Sequence, residues 1–322
     1  MLNGLSGMQA EEKAPSFFTA SVRGALSLAG YGVNTLFWWG PIFLVALVKR
    51  LLPEGTWRRG CDRLQNSLAD GWIAVNIASQ LLFCRRTRFV VDMPEDLDRR
   101  GWYLVMANHR SWVDILVLQR IFFRRIPFLK FFLKKELFWV PILGQAWWAL
   151  DFPFMKRYSK SYLKRHPEHI GMDLDITRKA CEKFKTVPIS VMSFVEGTRF
   201  CEKKHGAQKS PYRNLLRPRA GGVAYVMSAM RDRIQDILDV TIVYPTPNVT
   251  FWDFLCGRIS QVRVHVRKIP LSKALVGDYA RDREFRIRFH QWLNTLWSRK
   301  DDRIRQMQQG TSGSFLADPS LG

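Results

Sequence analysis

The sequence predicts an α/β domain, with a mainly parallel central sheet flanked by helices, preceded by an N-terminal membrane helix hairpin. Three observations carry this. From about Thr87 onward, short β-rich runs alternate with helical ones, as strand–helix–strand units with parallel pairing require. Ahead of them lies an uncharged apolar run, Ala25 to Val48. Finally, 50 Lys plus Arg against 28 Asp plus Glu leave the 322-residue chain at +22, a balance that speaks about partners more than about fold.

Residues 1–24 are small, polar and mixed, and read as a mobile lead. The run from Ala25 to Val48 would extend about 36 Å as a helix at ~1.5 Å per residue, against a hydrocarbon core of ~30 Å. Lys49 and Arg50 close it. A cleaved signal peptide fits poorly: the run is too long, Glu11 and Glu12 spoil a basic leader, and no small-x-small site precedes mature sequence. A buried core helix, with Gly30, Asn34 and Pro41 diluting the apolar signal, is the competing reading. A second apolar stretch, Gly71 to Phe83, carries Asn76 and Gln80 and is short for a span, which suits an interfacial or re-entrant helix paired with the first. Cations stand both in the link (Arg58, Arg59, Arg63) and after the second stretch (Arg85, Arg86, Arg88). That distribution fits a hairpin dipping into one leaflet, with its cationic flanks at one surface. Residues 25–86 thus form a membrane-anchoring module.

The domain proper runs from 87 to 306. Its strand candidates are Arg88–Asp92, Trp102–Ala107, Pro127–Phe132, Leu150–Phe154, Pro188–Phe194, Val240–Tyr244 and Gln261–Arg267, the last alternating with period two. Helical stretches are Ser111–Phe123, Asp173–Phe184, Gly222–Arg231 and Arg281–Arg299. Residues 307–322 read as a disordered tail. The five cysteines are odd in number and lack a CxxC pair, which argues for reduced thiols over a disulfide framework or a zinc knuckle.

Two short segments carry chemistry. After the apolar strand ending at Ala107 comes Asn108-His109-Arg110-Ser111-Trp112-Val113-Asp114. A carboxylate five residues beyond a histidine, at a strand-to-helix turn, can accept the Nδ1 proton and leave Nε2 free as a base. With six His in the chain, chance supplies roughly 0.3 such pairs, so a buried His109 and a helix-capping Asp114 would explain the spacing equally well. The second segment, Glu196-Gly197-Thr198-Arg199, again follows an apolar strand. Composition would yield this tetrapeptide about 0.002 times in the chain, so it weighs more. Gly at a strand exit lets backbone approach a ligand, the Arg fork suits phosphate, and Glu can accept from hydroxyls. No GxSxG elbow is present, and Ser111 reads as a helix cap. His166 and His169 read as a solvated loop, so no metal is expected.

Together these blocks resemble the glycerolipid acyltransferase superfamily, of the 1-acyl-glycerol-3-phosphate acyltransferase type, and within it a bacterial inner-membrane branch related to lysocardiolipin acyltransferases. The segment Lys134 to Gly144 is similar to the family's K-x-E-L…P…G stretch. Asp151 to Arg157 is similar to its second motif, with Met155-Lys156-Arg157 where Ile-Asp-Arg is frequent, and Val243-Tyr244-Pro245 resembles its fourth. The resemblance covers about residues 85–270. It implies a glycerol-3-phosphate acyltransferase-like fold and transfer of an acyl group to a lysophospholipid hydroxyl without an acyl-enzyme. Acyl-CoA or acyl-carrier protein is the implied donor substrate, and no cofactor takes part. His109 would deprotonate the acceptor and Asp114 orient His109. Arg199 with Arg157 would hold the acceptor phosphate, and Glu196, Gly197 and Thr198 would shape the glycerol pocket. Lys134 would be a further contact to oxyanion or phosphate. The implied location is the cytoplasmic face of a bacterial inner membrane.

The cations cluster behind these blocks: Arg120 to Lys135, Lys156 to Arg165, and Arg199 to Arg219. The arrangement fits a basic rim drawing in anionic lipid and a polyanionic donor. A membrane-tethered nucleic-acid-binding protein would also explain +22, but no helix-turn-helix, RRM or zinc-finger signature is present, so no nucleic acid is expected. An inactive membrane scaffold on the same fold is the remaining alternative.

Overall fold

The computed structural model describes residues 17–155, 165 and 172–310. Most of the expected lead and tail lies outside these residues. Of the lead, Phe17 to Gly24 already belong to the first helix. Helix α1 runs Phe17–Leu51 and α2 Thr56–Phe83. Both exceed the apolar runs, because single arginines such as Arg23, Arg58 and Arg59 are good helix formers. The two helices pair as a hairpin. Asn34 donates to the Trp72 carbonyl at 3.0 Å and to Asn76 Oδ1 at 2.9 Å, so the polar residues that dilute each apolar run satisfy each other. At Gly71 an added Cβ would stand 2.4 Å from the Trp38 indole. Glycine there lets the helices close.

The domain's main sheet is built from β1 (Arg88–Asp92), β2 (Tyr103–Ala107), β3 (Leu129–Phe131), β6 (Ser190–Phe194), β7 (Asp236–Val243) and β8 (Gln261–Pro270). Their order is β1-β8-β7-β2-β6-β3, parallel throughout except where β7 meets β8. A separate two-stranded ladder pairs β4 (Leu133–Lys134) with β5 (Phe154–Met155). The mainly parallel sheet is as the sequence predicts. β7 begins four residues earlier than its apolar stretch, because Asp239 is buried against Lys300 and Arg267 and so disguises a strand interior.

Helices cover both faces. On one lie α5 (Met172–Phe184), α7 (Ala220–Ala229) and α9 (Arg283–Gln308); on the other lie α3 (Val113–Phe122) and α8 (Phe251–Leu255). α4 (Leu143–Ala149) and α6 (Glu202–Gln208) fill connections. Leu104 and Met106 of β2 enter the core with Phe184, Met227 and Trp297, while Tyr103, Val105 and Ala107 enter the other with Val117, Leu118 and Phe254. This is the two-residue period of a strand buried on both faces. α9 starts at its Asp282 cap, which accepts from Phe285 N at 2.9 Å, and runs past Arg299 to Gln308.

α1 is held to the domain near both ends. At its start, Gly24 packs against Cys256 and Trp252, and Tyr31 meets Phe251 edge-on at 6.4 Å. Toward its end, Phe43 meets the Trp148 ring at 6.2 Å, and the Arg50 guanidinium lies 4.5 Å above it. Ile42 and Ala46 are buried with Ala69, Ala149, Leu150 and Phe152. Lys49 pairs with Asp62 of α2 and with Asp151 of the domain. Gln65 donates to the Ala149 carbonyl at 2.7 Å.

Candidate active site

β2, β6 and β7 run parallel in register, with Ala107 opposite both Phe194 and Val240. Their carboxyl ends therefore deliver their next residues to one place, as sheets of this kind do. Asn108 is fully buried; its Nδ2 donates to the Ile242 carbonyl at 2.9 Å and its Oδ1 accepts from Ile242 N at 2.8 Å. That double bond to β7 fixes where His109 leaves the sheet.

His109 Nδ1 lies 2.8 Å from Asp114 Oδ2. The same oxygen accepts from the backbone N–H of Arg110 at 2.6 Å and of Ser111 at 2.9 Å. Asp114 Oδ1 accepts from the Tyr244 hydroxyl at 2.6 Å. Asp114 is fully buried in the first turn of α3, where the helix terminus favours negative charge. With donors converging on both oxygens the carboxylate serves as acceptor, the imidazole proton sits on Nδ1, and Nε2 keeps its lone pair. Burial, with Asp114 beside it, holds the Tyr244 hydroxyl far above its usual range, so it remains a donor. The imidazole stacks on Phe194 with centroids 3.8 Å apart and planes 11° apart, which sets the ring's orientation.

The Glu196–Arg199 turn lies alongside. Gly197 has φ +71, and its N–H donates to the Phe194 carbonyl at 2.8 Å. An added Cβ would meet Arg219 Cδ at 2.8 Å. Glycine is needed there for both reasons. Thr198 Oγ1 accepts from Lys204 Nζ at 2.8 Å, and Lys204 also donates to the Arg199 carbonyl at 3.0 Å, pinning the turn. The Arg199 guanidinium is exposed and lies 5.1 Å over the Trp112 ring.

Glu196 stands differently from the sequence expectation. It is fully buried, and its oxygens accept from His109 N and Leu216 N, each at 2.8 Å. It shapes the site from behind, by tying the histidine's backbone to a loop, and offers no oxygen to a substrate hydroxyl. Burial pushes its carboxyl up to about 7, against the pull of those two N–H groups and of Arg110.

The structure thus brings His109, Asp114, Glu196, Gly197, Thr198 and Arg199 together. Lys134 is exposed on the β4–β5 ladder. Arg157 lies outside the described residues, as do His166 and His169. Sequence reasoning gave Tyr244 only a place in the fourth motif and Lys204 and Arg219 only one in the basic rim, and it assigned no role to Asn108 or Phe194. For Tyr244 the usable signal was its place just past a strand that runs parallel to the other two.

Residues 88–245 match a family model described as Acyltransferase. The 1-acyl-sn-glycerol-3-phosphate acyltransferase 3 of Arabidopsis thaliana is 28% identical over 221 residues, 63% of this chain and 53% of that protein. The 1-acyl-sn-glycerol-3-phosphate acyltransferase delta of Macaca fascicularis is 28% identical over 231 residues, 68% of this chain and 56% of that protein. The chain spans about half the length of these curated relatives. In fold it is similar to the crystal structure of the 1-acyl-sn-glycerophosphate (LPA) acyltransferase, PlsC, from Thermotoga maritima, with a TM-score of 0.52 over 89% of this chain and 98% of that one at 15% identity. With motif, fold and relatives in agreement, residues 88–245 are an acyltransferase domain, and the chain is similar to glycerolipid acyltransferases of the 1-acyl-glycerol-3-phosphate type.

Proposed function

We propose that this protein moves a fatty acyl group from acyl-CoA or acyl-carrier protein to the free hydroxyl of a lysophospholipid, with 1-acyl-glycerol-3-phosphate giving phosphatidate. The observation that carries the reading is the His109–Asp114 pair, with Nδ1 bonded and Nε2 free, beside the cationic turn at Arg199. His109 Nε2 takes the acceptor's hydroxyl proton as its oxygen bonds to the thioester carbonyl carbon. Collapse of the tetrahedral species breaks the C–S bond, and the imidazolium returns the proton to the departing sulfur. A thioester is already activated, so positioning and one base carry the step. Arg199, and Arg157 by resemblance, hold the acceptor phosphate; Lys134 belongs to the wider basic rim. The test is phosphatidate formation from oleoyl-CoA and lysophosphatidate in mixed micelles. Wild type is expected to be active and His109→Ala about 10³-fold slower or worse. A wild type inactive on every lysophospholipid, or an equally active variant, overturns the reading.

Membrane association belongs to the same reading. Phe18, Phe37, Leu44 and Leu51 of α1 and Trp57 of α2 are well exposed, and α1 is long and apolar enough to cross a bilayer. Yet the contacts at Gly24 and Lys49 bring the domain to both ends of a stretch of about 37 Å at ~1.5 Å per residue, longer than a ~30 Å hydrocarbon core. A crossing helix would carry one end away from the domain. The hairpin therefore lies within one leaflet, in a bacterial cell the cytoplasmic leaflet of the inner membrane. A Glu54→Cys variant in sealed vesicles is expected to react with an impermeant maleimide from the same side as exposed Cys201. Labelling of position 54 from the opposite side only would sink this placement.

A further inference from the structure

The C-terminal helix lies beyond residue 245, where the family model ends, yet it reaches the catalytic histidine through a continuous chain of hydrogen bonds. Asp301 of α9 is buried, and its oxygens accept from consecutive backbone N–H groups, Arg213 at 2.9 Å and Asn214 at 2.7 Å. One turn earlier, fully buried Trp297 donates its Nε1–H to the Leu216 carbonyl at 3.1 Å. Leu216 N then donates to Glu196, which also takes His109 N. Arg110, next to His109, donates to the Asn214 carbonyl at 3.3 Å, a second tie from the same loop. The helix itself is fixed to the sheet: Lys300 is fully buried, donates to the Val240 carbonyl at 2.6 Å and pairs with Asp239 at 2.6 Å.

The 211–219 segment has no regular secondary structure before α7 begins. Residues without a ladder or helix of their own take their position from what their polar groups bond. Here three successive points, the N–H groups of 213 and 214 and the carbonyl of 216, are set by two side chains one turn apart on a sheet-anchored helix. Glu196 transmits that position because its oxygens are split between the loop and His109. Near-attack geometry is demanding, and a displacement of about 1 Å can cost ~10² in rate.

We infer that Asp301 and Trp297 are positioning residues for His109, acting through the 213–216 loop and Glu196. The inference rests on the acyl-transfer reading for its kinetic consequence, but not for its structural one. In Asp301→Asn, one loop N–H loses its acceptor and faces an amide N–H instead. The expected result is a kcat about tenfold lower with an unchanged KM for the acyl donor, and a displaced Nδ1–H proton resonance of His109 in ¹⁵N-histidine-labelled protein. The double variant Asp301→Asn/Glu196→Gln is expected to be no slower than Glu196→Gln alone, since both act along one path. Multiplying losses, or unchanged kcat with an unmoved resonance, would overturn the inference. Should Asp301→Asn not fold, Trp297→Phe decides by the same readouts, with a fall of about threefold expected. If wild type transfers no acyl group, the acyl-transfer reading fails, and the resonance still reports the relay.

Discussion

Asp114→Ala should cut kcat about 10⁴-fold, whereas Asp114→Asn should cut it only about 10²-fold. The difference follows from which oxygen is used. His109 Nδ1, Arg110 N and Ser111 N all converge on Oδ2, while Oδ1 meets only the Tyr244 hydroxyl among the bonds described. An asparagine places its carbonyl oxygen where three donors point and turns its amide toward Tyr244, whose hydroxyl can accept as well as donate. The imidazole keeps its tautomer and loses only the charge that stabilises the imidazolium. Alanine removes the acceptor altogether, leaving buried donors unpaired and the ring free to turn. Steady-state rates of the two variants check this. Equal losses would mean that the amide enters reversed, with its N–H facing His109. Tyr244→Phe separates the hydroxyl's contribution, since it leaves Oδ2 and its donors in place.

Lys49→Met should lower stability by about 3 kcal/mol, and the unfolding midpoint by about 5–10 °C. Lys49 is buried between Asp62 of the hairpin and Asp151 of the domain. Removing it leaves two carboxylates facing each other across an interface, with Lys183 at 3.4 Å from the outer oxygen of Asp151. Lys130, also buried, has its ammonium lowered by burial to about 8 but stays mostly charged at neutral pH, so it offsets Asp151 in part, while Asp62 loses its Lys49 partner. The charge-balanced pair Lys49→Met/Asp151→Asn should recover part of the loss. Thermal unfolding in detergent micelles measures both, and an unchanged midpoint in the single variant would show the contact to be dispensable.

Much of this architecture was legible because it rests on local chemistry. The apolar strands leading to His109 and Glu196 are continuous, and parallel sheets put loops at one end, so the two motifs had to be neighbours. What escaped notice depends on pairs far apart in sequence. β7 was read short because Asp239 looks like surface until Lys300, some sixty residues later, neutralises it. Glu196 was read as facing substrate because a buried carboxylate satisfied by backbone N–H groups 87 and 20 residues away leaves no mark on its neighbours. The hairpin's extent was missed for a simpler reason: arginines end an apolar run without ending a helix.

The two-ended attachment of α1 has a mechanical corollary. A domain joined to its anchor at one point can swivel, and its catalytic face then samples many angles to the lipid surface. Here Cys256 and Trp252 grip one end and Asp151 the other, so the angle between the strand ends and the long axis of the anchor is built in. On the proposed leaflet placement, a lipid acceptor reaches the site by lateral diffusion along a fixed bearing, with the histidine held at one depth.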